Sequence, residues 1–155
     1  MWRRAWVNGV DEFWSFVEPM RIIHNKGMGA LIQGTRDWRD YTVTADVTPH
    51  LAKSAGLAAR FQGLRRYYAL LLKDRSTLSL ACVCHAEREL MSIDFPWAYG
   101  TQYELGLAVQ GNTIRALVDG ETVMSCEDAT LECGGIALLV EEGRSATKEV
   151  KVSAG

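Results

Sequence analysis

The segment YELGLAVQGNTIRALVDGETV, residues 103–123, decides the fold class. In its first part, Tyr103, Leu105, Leu107 and Val109 alternate with residues of the other face, and Ile114, Ala116 and Val118 continue the alternation. This period of two is typical of half-buried β-strands. Two turn signals separate the runs, the triplet 110–112 (QGN) and the pair 119–120 (DG). Because Asp-Gly between alternating runs is the strongest short-range hairpin signal, the segment predicts three consecutive antiparallel strands.

The same pattern extends over most of the chain. YTVTADV, residues 41–47, places its tyrosine, two valines and alanine on one face and its polar residues on the other. Turn signals recur roughly every 8–12 residues, and no long helical apolar stripe occurs. Further candidate strands are FWSFV, MRIIH, MGALIQ, GLAARFQ, YYALLL, STLSLACVC, RELMSIDF, IALLV and KEVKVSA. About a dozen short strands predict an all-β sandwich or barrel.

Length and charge limit the class of protein. The chain has 155 residues, 48% of them hydrophobic and 23% charged, with a formal net charge of -2. We expect one β-sandwich domain over residues 1–155. We also expect this domain to be one module of a longer multidomain protein. A slightly acidic chain has no global field to gather phosphates, so no nucleic-acid partner is expected. No apolar run approaches the roughly 18 residues that span a bilayer, so no membrane partner is expected.

The cysteines and histidines form no recognisable metal or disulfide motif. The four cysteines are Cys82, Cys84, Cys126 and Cys133. Their spacing resembles no disulfide framework, so we expect reduced, mostly buried thiols and a cytoplasmic location, with a secreted protein as the alternative. A pairing of Cys126 with Cys133 stays open. CVCH, residues 82–85, lacks the two-residue spacers of zinc motifs, so neither a metal site nor a cofactor is expected.

Four segments carry a resemblance to a known superfamily. In order they are DWRDYTVTADVTP (37–49), AGLAARFQGLRRYYALLL (55–72), QYELGLAVQGNTIRALVDGETV (102–123) and GGIALLVEEGRSATKEVKV (134–152). Together they resemble the concanavalin-A-like, or laminin-G-like, jelly rolls, over roughly residues 27–152. Within that superfamily the order is similar to family 66 carbohydrate-binding modules, to a keto-disaccharide hydrolase-like domain, and to a C-terminal domain of bacterial ADP-ribosylglycohydrolase-family proteins. The resemblance implies two packed antiparallel sheets, one of them concave and commonly the place where sugars bind.

The segment GLAARFQ, residues 56–62, supplies the first candidate ligand-binding residues. Alternation places Leu57, Ala59 and Phe61 in the core, which leaves Arg60 and Gln62 on the opposite, open face of their sheet. A guanidinium and an amide suit sugar hydroxyls or carboxylates because they offer paired donors and acceptors. The alternative is that Arg60 pairs with a carboxylate on a neighbouring strand.

The next strand supplies an aromatic candidate. Alternation assigns Tyr68 to the core and Tyr67 to the open face, near Arg60. An aromatic ring beside polar groups is a plausible sugar platform, because the apolar face of a sugar stacks on the ring. The alternative is that Tyr67 only covers the sheet.

Two further segments supply the remaining candidates. In LVEEGRSATKEV, Glu141 or Glu142 is expected to emerge at the end of a buried strand, with Arg144 after a turn at Gly143. These residues form either a ligand-binding pair or an ordinary charged turn. Trp97 in DFPWAYG is expected either to stack on a ligand or to close the end of the sandwich.

Catalytic motifs are weak. Glu87 and Glu89 are the one close pair of carboxylates on a single strand face, and glycosidases need two carboxylates that flank the scissile bond. We therefore expect a non-catalytic carbohydrate-binding module that keeps a covalently linked catalytic domain near a glycan. One alternative is an interaction domain that packs on an ADP-ribosylglycohydrolase-like catalytic domain. The other is a glycoside hydrolase of the keto-disaccharide kind.

Overall fold

The computed structural model describes residues 7–9, 12–14, 20–34 and 37–154. Over these residues the secondary structure consists of strands: β1 (Val7–Gly9), β2 (Glu12–Trp14), β3 (Met20–Gln33), β4 (Tyr41–Pro49), β5 (Ser54–Gly63), β6 (Arg66–Lys73), β7 (Thr77–Cys84), β8 (Ala86–Asp94), β9 (Tyr103–Gln110), β10 (Thr113–Val118), β11 (Glu121–Glu127), β12 (Gly135–Thr147) and β13 (Val150–Ala154).

The strands form two antiparallel sheets. The front sheet has the order β3-β12-β5-β6-β7-β8, and β1 and β2 pair with the free edge of β3. The back sheet has the order β13-β4-β9-β10-β11. The sheets meet at one corner, where the end of β12 pairs with the end of β4 through Ser145 opposite Pro49. The all-β sandwich predicted from the alternation is confirmed.

The main core lies between the two sheets. In β4, buried and half-buried residues alternate over all nine positions, as the pattern YTVTADV predicts. Its buried residues pack with Leu105 and Leu107 of β9 and with Leu57, Leu70 and Leu80 of the front sheet. A strand with one solvent-facing and one buried face contributes every second residue to such a core.

The predicted hairpin at Asp119-Gly120 is confirmed. Val118 pairs with Glu121, and both turn residues have positive φ, 52° for Asp119 and 81° for Gly120. This is the backbone that matches the twist of two adjoining strands. The candidate strands MRIIH and MGALIQ join into the single strand β3. Most of the candidate strand FWSFV falls on residues 15–17, which lie outside the described residues.

The turn predicted at Gly143 is wrong. β12 continues to Thr147, and the irregularity is a bulge between Glu141 and Gly143, with a positive φ of 49° at Glu142. The β4–β5 loop crosses so close that a Cβ atom on Gly143 would collide with the backbone carbonyl of Leu51. A glycine is therefore required where the loop approaches the strand.

Candidate functional site

A bulge in β5 reverses the alternation that the sequence predicted. Ala58 lies opposite Ala137, but Phe61, three residues later, lies opposite Gly135, only two residues away on β12. The extra residue falls at Arg60, whose φ is 48°. Phe61 therefore lies on the same face as Ala58, away from the main core. The expectation that Phe61 joins the core is wrong, because a one-residue bulge exchanges the two faces of the strand.

Tyr41 of β4 holds the bulge in place. The Arg60 backbone N–H donates to the Tyr41 hydroxyl oxygen at 2.6 Å, and that hydroxyl lies 3.0 Å and 2.9 Å from the carbonyl oxygens of Gly134 and Gly135. Burial raises the pKa of Tyr41 to about 12, so the hydroxyl stays protonated and able to donate at neutral pH. The bulge is thus stabilised from the opposite sheet.

The Arg60 side chain is buried at one end of the β-sandwich. Its side chain is 1% exposed. Nε donates to the Arg39 carbonyl at 3.0 Å, and Nη1 donates to the carbonyls of Gly111 at 2.7 Å and Leu131 at 3.0 Å. Nη2 lies 3.2 Å from Oδ1 of Asp40. The expectation that Arg60 lies on the open face is wrong. Arg60 does have a carboxylate partner, but that partner is Asp40, just before β4 of the back sheet, and not a residue of a strand next to β5.

Gln62 is also held at the end of the sandwich. Its Nε2 donates to the Cys133 carbonyl at 2.8 Å, and its Oε1 accepts from Nε of Arg66 at 3.0 Å. The half-buried amide thereby ties β5 to the segment that precedes β12. The structure does not bring Gln62 and Arg60 together with Tyr67 on one face, because the bulge separates them.

The outer face of the front sheet, which is the face turned away from the main core, carries an aromatic pair. Phe61 and Tyr67 stack with ring centroids 5.1 Å apart and an interplanar angle of 14°. Tyr67 lies on this face, as predicted, and Tyr68 lies in the main core. Small and aliphatic residues form the floor around the pair: Ala30, Ala58, Ala69, Leu71, Ala137 and Leu139.

Tyr67 presents a hydroxyl that no other described residue hydrogen-bonds. The residue is 5% exposed. Burial raises the pKa of Tyr67 to about 12, and the negative charges of Glu87 and Glu141 raise it further in the same direction. The two carboxylates belong to strands on opposite sides of β6, Glu87 to β8 and Glu141 to β12. The hydroxyl therefore stays protonated at neutral pH and can donate a hydrogen bond.

Three carboxylates lie on the same outer face, and each accepts one hydrogen bond from another strand of the front sheet. The contacts are Ser54 Oγ to Glu141 at 3.0 Å, Lys73 Nζ to Glu87 at 3.3 Å, and Ser79 Oγ to Glu89 at 3.0 Å. An ionised carboxylate has about four lone-pair sites, so each one keeps most of its accepting capacity. Serine and lysine donors also hold the side chains in place, which makes the arrangement a pre-organised set of acceptors.

The Lys73–Glu87 pair shows that the front sheet curves toward this face. In register, Lys73 lies opposite Thr77, whereas Glu87 lies opposite Val83. Six residues of a straight strand span about 20 Å, more than the two side chains can bridge. Their contact at 3.3 Å requires the strands to bend toward each other. The outer face is therefore concave, as the superfamily resemblance implied.

Trp97 and Arg144 lie away from the aromatic pair. Trp97 is buried, donates from Nε1 to the Lys73 carbonyl at 3.1 Å, and packs edge-to-face on Tyr99 at 5.6 Å. It closes the end of the sandwich, which was the alternative to ligand stacking. Arg144 is exposed and lies opposite Ile23, beyond the bulge that follows Glu141. Of the predicted site residues, Tyr67 and Glu141 therefore lie on the outer face of the front sheet.

Lys73, Glu89, Ser54 and Ser79 are the parts of this surface that sequence reasoning did not assign to ligand binding. Alternation along β6 puts Lys73 on the same face as Tyr67, and Glu87 and Glu89 were considered only as a catalytic pair. The register between β12 and β5, and between β7 and β8, is the missing information, because it decides which serine faces which carboxylate. No sequence signal identifies these pairings.

A second polar cluster closes the opposite side of the core. The Tyr68 hydroxyl donates to Asp128 Oδ1 at 2.7 Å, and Arg88 Nη2 donates to Oδ2 at 2.6 Å. The Leu131 N–H donates in turn to the Tyr68 oxygen at 3.2 Å. Burial alone would raise the pKa of Asp128, but hydrogen bonds from Thr130, Arg88 and Tyr68 outweigh it and hold the pKa well below its usual range. This cluster anchors the segment after β11 to the front sheet.

Metal-ligating residues do not cluster in the part of the chain that the structure describes. All four cysteines are free thiols, Cys82 buried and the other three half-buried. Within the described ranges there is no helix long and apolar enough to cross a membrane.

Comparison with known proteins shows the fold. No protein-family model matches the chain, and no curated protein matches it. Among solved structures, it is similar to the family 66 carbohydrate-binding module from Bacillus subtilis, with a TM-score of 0.85 and 14% identity over 96% of this chain and 95% of that one. It is similar to an alginate lyase of polysaccharide lyase family 7, with a TM-score of 0.71 and 13% identity over 94% and 83% of the two chains. A galectin from Caenorhabditis elegans gives a TM-score of 0.62 and 12% identity over 88% and 91%. The chain thus has the concanavalin-A-like jelly-roll fold.

Proposed function

We propose that this chain is a non-catalytic carbohydrate-binding module whose ligand lies on the concave outer face of the front sheet. The observation that carries the proposal is the presence on this face of three carboxylates, each held by a hydrogen bond within the front sheet, together with the stacked Phe61–Tyr67 pair. Sugar hydroxyls need a dense set of fixed donors and acceptors, and this surface supplies them.

The chemistry of the surface suits a polyol. The carboxylates and the phenol offer hydrogen bonds, while the buried Phe61–Tyr67 pair and the aliphatic floor support these polar groups from below. Because the ring of Tyr67 is nearly covered, its hydroxyl rather than its ring face is the group available to a ligand. One hydrogen bond between a sugar and this hydroxyl is worth about 1 kcal/mol.

Similarity to known proteins supports the same conclusion at a general level. Two of the similar structures carry the names carbohydrate-binding module and galectin, and the third is an alginate lyase. A module with a single modest site acts by raising the local concentration of a glycan near an attached catalytic domain. We include such a linked domain in the proposal, and an ADP-ribosylglycohydrolase-like enzyme is one candidate for it.

The test is a glycan array followed by titration calorimetry on the glycans that bind. Tyr67→Phe keeps the ring stacked on Phe61 and removes only the hydroxyl, so we expect affinity to fall about five- to tenfold with the unfolding midpoint unchanged. Glu121→Gln, an exposed carboxylate on the back sheet, is the matched control and should bind as the wild type does. If Tyr67→Phe bound the glycan with wild-type affinity, the outer face would not be the ligand-binding surface.

Absence of binding to every glycan on the array would contradict the proposal as a whole. Co-purification with a catalytic domain would then favour the interaction-domain alternative. Turnover of chromogenic glycosides, abolished by Glu87→Gln or Glu89→Gln, would favour the hydrolase alternative.

A further inference from the structure

We propose that residues 1–6 (MWRRAW), which precede β1, dock across the outer face of the front sheet and limit access to it. The docking is independent of what the face binds. Its consequence for glycan affinity rests on the proposed function, because it regulates the same surface.

The outer face is buried although it is turned away from the main core. Leu71 of β6 and Leu139 of β12 are 2% and 1% exposed, and Ala69 is fully buried. The other hydrophobic residues that pack on this cluster also come from the front sheet: Met28, Ile32 and Val83. The side chains of one sheet stand beside one another, so their tips reach solvent unless a further layer lies above them. The burial therefore points to such a layer on this face.

The chain enters the sheet at a place from which residues 1–6 can form that layer. β1 begins at Val7, which lies opposite Ile32 of β3. From Ile32 one row of the outer face crosses the sheet through Ala137, Ala58 and Ala69 of β6. The four steps from β1 to β6 cover about 19 Å. Six extended residues span about 20 Å, so the segment is long enough to reach the strand of Tyr67.

The side chains of residues 1–6 complement the surface. In an extended segment Trp2, Arg4 and Trp6 share one side, because side chains alternate along the chain. Two indole rings suit an apolar floor of alanines and leucines. A guanidinium suits the carboxylates of the same face, which have lone pairs left after their hydrogen bonds within the sheet.

A docked segment weakens glycan binding without any change in the binding groups. The apparent affinity of a site falls in proportion to the fraction of molecules in which the site is open. With the segment docked in about nine molecules of ten, a glycan binds about tenfold more weakly than to the open face.

The test is hydroxyl-radical footprinting of the full chain, read by mass spectrometry at low and high protein concentration. We expect Phe61 and Tyr67 to be protected in the wild type. A variant with both Trp2→Ala and Trp6→Ala should raise their oxidation about fivefold or more. Protection of Leu57, which lies in the main core, reports that the variant stays folded.

A charge variant tests the docking without loss of the tryptophans. Arg4→Glu should raise the oxidation of Tyr67 about two- to fivefold, since a partly exposed ion pair contributes modestly. The control Arg115→Glu makes the same change at an exposed position of β10 in the back sheet and should leave the oxidation unchanged.

The outcomes separate the docking from the proposed function. Ready oxidation of Tyr67 in the wild type, or unchanged protection in both variants, overturns the inference. Protection that rises with protein concentration assigns the cover to a second copy and overturns it too. Raised oxidation with about tenfold tighter glycan binding supports the docking and its effect on affinity, whereas unchanged affinity refutes that effect. Raised oxidation without binding of any glycan leaves the docking in place and refutes the proposed function.

Discussion

Replacing Arg60 tests whether this residue is a structural anchor rather than a ligand-binding residue. Its guanidinium donates to three backbone carbonyls and contacts Asp40. The carbonyl of Leu131 is buried with it, and leaving that acceptor unsatisfied costs about 1–3 kcal/mol. The two partly buried carbonyls add about 1 kcal/mol each, since water can replace the lost donor. We therefore expect Arg60→Ala to lower the free energy of unfolding by about 3–5 kcal/mol.

Two further variants separate the effect of the positive φ at Arg60 from that of the ion pair with Asp40. Arg60→Gly removes the same side chain but adopts the positive φ of 48° without strain, so it should be about 1 kcal/mol more stable than Arg60→Ala. Asp40→Asn should cost less than about 1 kcal/mol, because Asp40 is 51% exposed and the pair is screened on that side.

The assay is urea unfolding followed by tryptophan fluorescence. With a slope of about 2 kcal/mol per molar urea, a loss of about 4 kcal/mol lowers the midpoint by about 2 M. An Arg60→Ala protein within 1 kcal/mol of the wild type would refute the reasoning. The result matters for binding studies too, since lost glycan binding in Arg60→Ala would report damage to the fold and not a missing ligand contact.

Three other predictions address the site, the pH dependence and the packing. Tyr67→Phe should weaken glycan binding about five- to tenfold while chemical unfolding stays within about 1 kcal/mol of the wild type; a binding loss matched by an equal stability loss would argue against a ligand contact. Because hydrogen bonds depress the pKa of Asp128 in the folded state, its stabilisation is present above about pH 4, the unfolded value, and is lost as pH falls further. Asp128→Asn should lower the free energy of unfolding by about 2 kcal/mol at neutral pH and should make that free energy less dependent on pH below about pH 4. The same pH dependence in the variant and the wild type would contradict this role of Asp128. Gly56→Ala should destabilise by more than about 3 kcal/mol, because a Cβ there collides with the backbone of the adjoining strand, whereas Gly63→Ala meets open space and should be near neutral in thermal unfolding.

Alternation predicted the faces of most strands correctly. β4 follows its pattern at every position, and β6 places Tyr67 and Tyr68 on opposite faces as expected. In both strands each residue has one partner across the ladder, so the period of two is never interrupted. Local sequence is sufficient wherever the ladder is regular.

The exceptions occur at bulges. In β5 the extra residue at Arg60 moved Phe61 to the outer face, and in β12 the bulge after Glu141 replaced a predicted turn. The hydroxyl of Tyr41, 19 residues away, is what accepts the Arg60 N–H. A contact of that kind cannot be read from residues 55–63 alone.

The sequence by itself therefore determined the class of fold, because strand periodicity and Asp-Gly turn chemistry are local properties of a few consecutive residues. It also placed Tyr67 on the outer face. Only the tertiary structure decided which polar residues surround that tyrosine, since Lys73 and Glu87 meet through strand register and sheet curvature. It also decided that Arg60 is buried, because the bulge depends on a hydroxyl from the opposite sheet.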